Sequence, residues 1–301
     1  MIGSLNPVIG LHHMWDQTFI RHGLIAGTAV AAAAGLVGYF LVLRSQVFTG
    51  DALGHVAFTG ALIALVAGFD AQLGLFVATI AVAVVLGALG RNGPADDVVI
   101  GSTFAWILGL GVLALSIFTT QHSAGNGAAG VKILFGSIYG LDAAAVRTAV
   151  LITAAVVAAA LAMARPLLFA SLDDAVAAAR GLPVRLLGYA FLVLVGATAA
   201  EAAQAVGTLL LLGLLAAPAA IAMRLTVRPY RAMVLSVVIS VAAVWGGLAL
   251  SYAVPQLPPS FSIVALVTAG YLFTALVGWE PALLRRRRVL RGRVAASRLP
   301  A

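Results

Sequence analysis

Gln46-Val47-Phe48-Thr49-Gly50-Asp51-Ala52-Leu53-Gly54-His55-Val56-Ala57-Phe58-Thr59-Gly60 sets a carboxylate and an imidazole four residues apart in an otherwise apolar run. On a helix, side chains at i and i+4 lie about 40° apart around the axis and roughly 6 Å apart along it, so Asp51 and His55 share one face. If the run crosses a membrane, His55 sits about ten residues in, about 15 Å from the nearer end and close to the midplane of a roughly 30 Å hydrocarbon layer. An aspartate at that depth costs on the order of 2.5–3.5 kcal/mol on insertion scales, so the pair faces something polar.

Spacing alone leaves two readings of the pair open. Asp51 and His55 bind a metal ion or handle protons, or they hydrogen-bond each other and neighbouring helices as interhelical glue. Gly50, Gly54 and Gly60 flank the pair and allow close helix approach. One Asp and one His do not fill a shell of four or more ligands, so a metal reading needs a second segment or a second copy of the chain.

The surrounding composition makes the membrane reading compelling. Of 301 residues, 62% are hydrophobic and 9% charged, with a mean hydropathy of +1.09. Soluble domains carry about 25% charged residues, so this composition describes an all-α polytopic membrane protein. The chain has no cysteine, which removes disulfides, thiolate metal sites, iron–sulfur clusters and cysteine nucleophiles. Any metal is held by oxygen and nitrogen.

Runs of about 20 apolar residues mark nine candidate spans, at about 23–43, 46–68, 71–90, 98–119, 143–164, 186–203, 206–223, 229–254 and 260–279. The sixth and seventh, divided by the polar cluster Glu201 to Gln204, also read as one broken unit, which makes the count eight to nine. Between the fourth and fifth lie a Gly-rich stretch and Val131 to Gly140, too short to span and read as re-entrant or interfacial. Arginines follow the odd-numbered spans, which places those ends and the carboxyl terminus in the cytoplasm and the amino terminus outside. The +8 charge therefore marks cytoplasmic loops and a membrane-surface tail, with Arg285, Arg286, Arg287, Arg288, Arg291, Arg293 and Arg298, and no nucleic-acid partner.

Three parts are expected: an interfacial lead-in at 1–22, too polar for the core of a cleavable signal peptide, a transmembrane region at 23–280, and an Arg-rich cytoplasmic tail at 281–301. His12, His13, His22 and His122 fall outside or at the surface as solvated histidines, with Glu201 near an outer mouth. Between the fifth and sixth spans, a charged connector from Arg165 to Arg185 contains a coupling segment at about 171–185. It reads as a short amphipathic helix with Ser171 as its cap, Asp173 and Asp174 in its first turn, and Gly181 and Pro183 as its stop. Pro218, in the middle of the seventh span, frees a carbonyl and kinks that helix. A phosphate-binding Gly-rich loop ending in Lys-Ser or Lys-Thr is absent, as is His-Glu-x-x-His, so the chain carries neither a nucleotide-binding loop nor the common intramembrane metalloprotease motif.

Four ordered segments carry a family likeness: Phe48-Thr49-Gly50-Asp51-Ala52-Leu53-Gly54-His55; Leu134-Phe135-Gly136-Ser137-Ile138; Asp173 through Ala177 to Gly181-Leu182-Pro183-Val184; and Val206-Gly207-x-Leu209-Leu210 through Pro218-Ala219-Ala220-x-Ala222. Together they resemble the permease subunits of bacterial ABC importers for zinc, manganese or iron(II), across about residues 20–280. The resemblance implies a non-catalytic, multi-pass subunit of the bacterial inner membrane that pairs with a second permease copy, alike or different. Separate ATP-binding cassette subunits supply ATP hydrolysis, and an extracytoplasmic metal-binding protein delivers the ion. It implies that Asp51 and His55 ligate the transported cation, with no permanently bound cofactor, and that Asp173, Ala177, Gly181, Leu182 and Pro183 belong to a coupling helix docked in the ATPase. Two Asp51 and two His55 across a two-fold axis then supply four ligands suited to Zn²⁺ or Mn²⁺. Import as the direction of transport is implied by the resemblance alone. The reading from another class is a proton-coupled secondary carrier that works without an ATPase, with Asp51 and His55 relaying protons.

Overall fold

The computed structural model describes residues 17–89, 97–121, 136, 138–208 and 211–296. His12, His13, His122, Arg298 and the Leu134, Phe135, Ser137, Leu209 and Leu210 positions of the family segments lie outside these. The described residues are helical and loop, without strands, and eight helices are long and apolar enough to cross a membrane. Helices suit such a chain because each satisfies its own backbone donors and acceptors where no water can.

The helices are α1 (Thr18–Leu43), α2 (Val47–Val66), α3 (Ala71–Leu89), α4 (Asp97–Gln121), α5 (Ala143–Leu172), a short α6 (Asp174–Ala179), α7 (Val184–Val206), α8 (Leu211–Leu225), α9 (Pro229–Ala253) and α10 (Pro259–Ala296). Eight of them meet the spanning criteria, α10 through Val277. The exception beside α6 is α8, whose 15 residues reach only about 22 Å at 1.5 Å per residue. Its direction is fixed at both ends. Leu211 packs against Gly54 in α2, and Arg224 donates to the Tyr271 hydroxyl near the far end of the apolar part of α10.

Helix α1 lies at the centre, packed on α9, α5, α8 and α7. Its face of Gly27, Ala31, Ala34, Gly35 and Gly38 lets neighbours approach closely: the Ser236 hydroxyl of α9 donates to the Gly35 carbonyl at 2.7 Å, and the Trp245 indole donates to Thr28 at 2.8 Å. One end of the bundle gathers the start of α1, a 3-10 turn at Ile138–Gly140 and the end of α9. There His22 Nδ1 pairs with the Leu141 carbonyl at 3.2 Å, and the Tyr139 hydroxyl donates to the Leu248 carbonyl. The opposite end holds Arg44 and α6, so the arginine-bearing loop after α1 and the coupling segment share one side.

Several sequence expectations need correction. Helix α5 runs eight residues past the span read for it, carrying Arg165 and Pro166 inside the helix and shortening the connector. Ser171 therefore does not cap α6. It donates to Leu167 within α5, and Asp173 is the cap, its carboxylate accepting from the Val176 amide at 2.9 Å. Glu201 and Gln204 do not divide two spans either. They lie within α7, and the break comes at Gly207, whose φ of 93° and ψ of 156° suit glycine alone. His22 is half-buried and bonded rather than simply solvated. Finally, α10 continues as helix through Ala296, into the stretch read as a tail.

Candidate metal site and coupling segment

Asp51 and His55 stand on the second and third turns of α2, each half-buried. The helix is seated by its small residues: a Cβ on Gly50 would meet the Leu41 side chain of α1, and one on Gly60 would come within 2.5 Å of the Gly74 carbonyl of α3. On the other flank α4 closes in. Thr59 donates to the Ile107 carbonyl at 3.2 Å, and Phe104 lies edge-on to both His55 (5.2 Å) and Phe48 (6.0 Å). Phe104 thus packs against the imidazole and restricts its rotation.

Among the described residues no hydrogen bond or ion pair joins Asp51 to His55, and no group of three or more His, Asp or Glu side chains gathers to hold a metal. The pair is therefore two candidate ligands on one helix face. Leu211, the first described residue of α8, packs beside Gly54, which lies between Asp51 and His55 in sequence, so α8 also borders the pair. Pro218 lies seven residues farther along α8, inside the helix and buried.

The coupling segment is built by local chemistry. Gly181 takes a φ of 82° and ends α6, while the Leu182 amide returns to the Ala177 carbonyl at 3.1 Å. Ala177 is fully buried against Ala170 and Leu187, with Leu182 and Val184 beside it, which pins the short helix onto the ends of α5 and α7. Asp173, Gly181 and Pro183 are exposed, and so are the apolar side chains of Leu172 and Val176. Ala177 thus acts by holding the segment in place, and the outward face belongs to its neighbours.

Glu201 is the buried acid that the sequence placed near an outer mouth. It is 4% exposed inside α7, and its Oε2 and the Gln204 Nε2 have no hydrogen-bond partner among the described residues. Sequence reasoning missed Arg44 altogether beyond its sign. Its guanidinium donates to Ser171 Oγ and stacks 5.5 Å from the Phe191 ring centre.

Residues 16–278 match the ABC 3 transport family. The chain belongs to that family. Relatives within reach include the manganese transport system membrane protein MntC of Listeria monocytogenes, 26% identical over 93% of this chain and 99% of that protein. Another is the chelated iron transport system membrane protein YfeD of Yersinia pestis, 28% identical over 78% of this chain and 77% of that one. Among solved structures, PsaBC from Streptococcus pneumoniae in complex with Fab superposes with a TM-score of 0.77 at 26% identity, covering 89% of this chain and 94% of that one. This ABC 3 family chain is thus a multi-pass, all-α membrane protein with the fold of a transport subunit.

Proposed function

We propose that this chain is the membrane-spanning permease subunit of an ATP-driven importer of a divalent transition metal in the bacterial cell membrane. Manganese is the first substrate to test, then iron and zinc. The observation that carries the reading is the match to the ABC 3 transport family over residues 16–278, whose relatives bear the names of manganese and iron transport systems. Permease pairing brings two copies of Asp51 and His55 together and completes a four-ligand, oxygen-and-nitrogen site. The absence of a third candidate ligand among the described residues supports a shared site.

Two carboxylates at that site neutralise the dication where hydration is lost, and the two imidazoles add borderline ligands. ATP hydrolysis belongs to separate cassette subunits that dock against α6 and the adjoining end of α5, where Val176 and Leu172 present apolar surface. An extracytoplasmic protein delivers the metal on the opposite side.

The test is uptake of Mn²⁺, Fe²⁺ and Zn²⁺ by cells that depend on this chain, comparing the parent with Asp51→Ala and His55→Ala. Each variant loses uptake while the complex still assembles. Undiminished uptake in both assembled variants overturns the ligand assignment. Transport by the lone chain in liposomes, without an ATPase, overturns the ATP-driven reading.

A further inference from the structure

The cytoplasmic ends of four helices converge on one guanidinium. Arg44 Nη1 donates to Ser171 Oγ at the end of α5 (3.4 Å), the guanidinium stacks over Phe191 of α7, and the Asp174 carboxylate of α6 acts on it electrostatically. Burial pushes the Arg44 pKa down, and Asp174 opposes that shift. Among the described residues Arg44 Nε is buried without a partner, and so is Gln46 Oε1 two residues on. The arginine's hydrogen-bond capacity is not filled in this arrangement, which leaves it free to exchange partners.

Its backbone position is equally specific. Arg44 caps α1, Ser45 takes a left-handed φ of 55°, the Ser45 amide returns to the Val42 carbonyl and the Gln46 amide to the Leu41 carbonyl. That is the double-bonded helix stop usually built on glycine, here on serine, and it forms the elbow between α1 and α2. Helix α2 begins at the next residue, and Asp51 and His55 follow four and eight residues into it, about 6 and 12 Å along its axis.

We infer that Arg44 is a positioning residue that ties the α6 segment to the ligand-bearing helix, so that movement of α6 turns α2 about the Arg44–Gln46 elbow and changes how Asp51 and His55 present to the metal. The inference rests on the permease reading above, with α6 as the ATPase contact. Small shifts become large ones at such a junction because the packed helices around it resist continuous deformation.

The experiment is manganese transport by the complete complex in proteoliposomes, read as manganese moved per ATP hydrolysed and normalised to the ATPase retained. Arg44→Gln lowers that ratio about tenfold, within the range of typical site-to-site coupling, and Arg44→Lys recovers part of it by restoring the charge. A Ser171→Ala variant, which removes one partner and leaves the arginine, lowers the ratio in the same direction and serves if Arg44→Gln does not assemble. An unchanged ratio in the assembled variants, or transport lost only in proportion to ATPase lost, overturns the inference. Asp51→Ala is run alongside: lost uptake there with an unchanged ratio in Arg44→Gln overturns the positioning role alone. Intact uptake in Asp51→Ala overturns the ligand assignment instead, and uptake absent from the parent complex overturns the metal-permease reading.

Discussion

A single ring packs against the imidazole on α2. Phe104 sits edge-on to His55, so the imidazole is already restricted in rotation, and under the proposed metal-ligand role less entropy is lost on binding. Asp51→Asn keeps the shape and removes the charge, and it weakens Mn²⁺ binding by at least about tenfold in calorimetric titration of the purified complex, since even supporting residues around metals are worth that much. Phe104→Ala weakens binding in the same assay by less than His55→Ala does, because the ligand remains and only its orientation is lost. Glu201 makes a different point about buried acids. Its Oε2 is buried and has no partner among the described residues, so Glu201→Met raises the thermal unfolding midpoint in detergent by the equivalent of about 1 kcal/mol, the lower end of the desolvation cost of an unsatisfied group.

Helix ends in this chain are decided by backbone geometry more than by polarity. Ser45→Val forces a β-branched residue into the left-handed region and destabilises by about 1–2 kcal/mol; Gly207→Ala, at φ 93°, costs about 1–3 kcal/mol. Thermal melts of both variants against the parent check these values. The same distinction explains what the sequence disclosed. Apolar runs near 20 residues announce helices, so the spans were legible to within a few residues at most ends. Glu201 and Gln204 look like a boundary because they are polar, yet both are good helix formers and the chain breaks only where Gly207 permits it. Arg165-Pro166 looks like a stop, but α5 carries the proline in its interior. That Asp51 and His55 share one helix was legible because they stand at i and i+4 in one apolar run. Arg44 was not, because its hydrogen-bond partner Ser171 is 127 residues away and no local pattern records it.

The whole molecule has two chemically different ends, and a cysteine-free chain makes them easy to mark. Gln256, in the exposed connection between α9 and α10, and Ala178, on the exposed rim of α6, belong to opposite ends of the bundle. In intact cells a membrane-impermeant maleimide labels Gln256→Cys and leaves Ala178→Cys unlabelled until the membrane is opened. Labelling of both from outside contradicts the orientation.

The central place of α1 has a consequence for how the protein is made. Its Gly35 carbonyl receives the Ser236 hydroxyl, and Thr28 receives the Trp245 indole, across 201 and 217 residues of chain. At synthesis rates of about 5–20 residues per second, the first helix enters the bilayer roughly 10–40 s before its α9 neighbour exists. During that interval the Gly35 carbonyl and the Thr28 hydroxyl wait in the bilayer without the α9 partners that they meet in the folded chain.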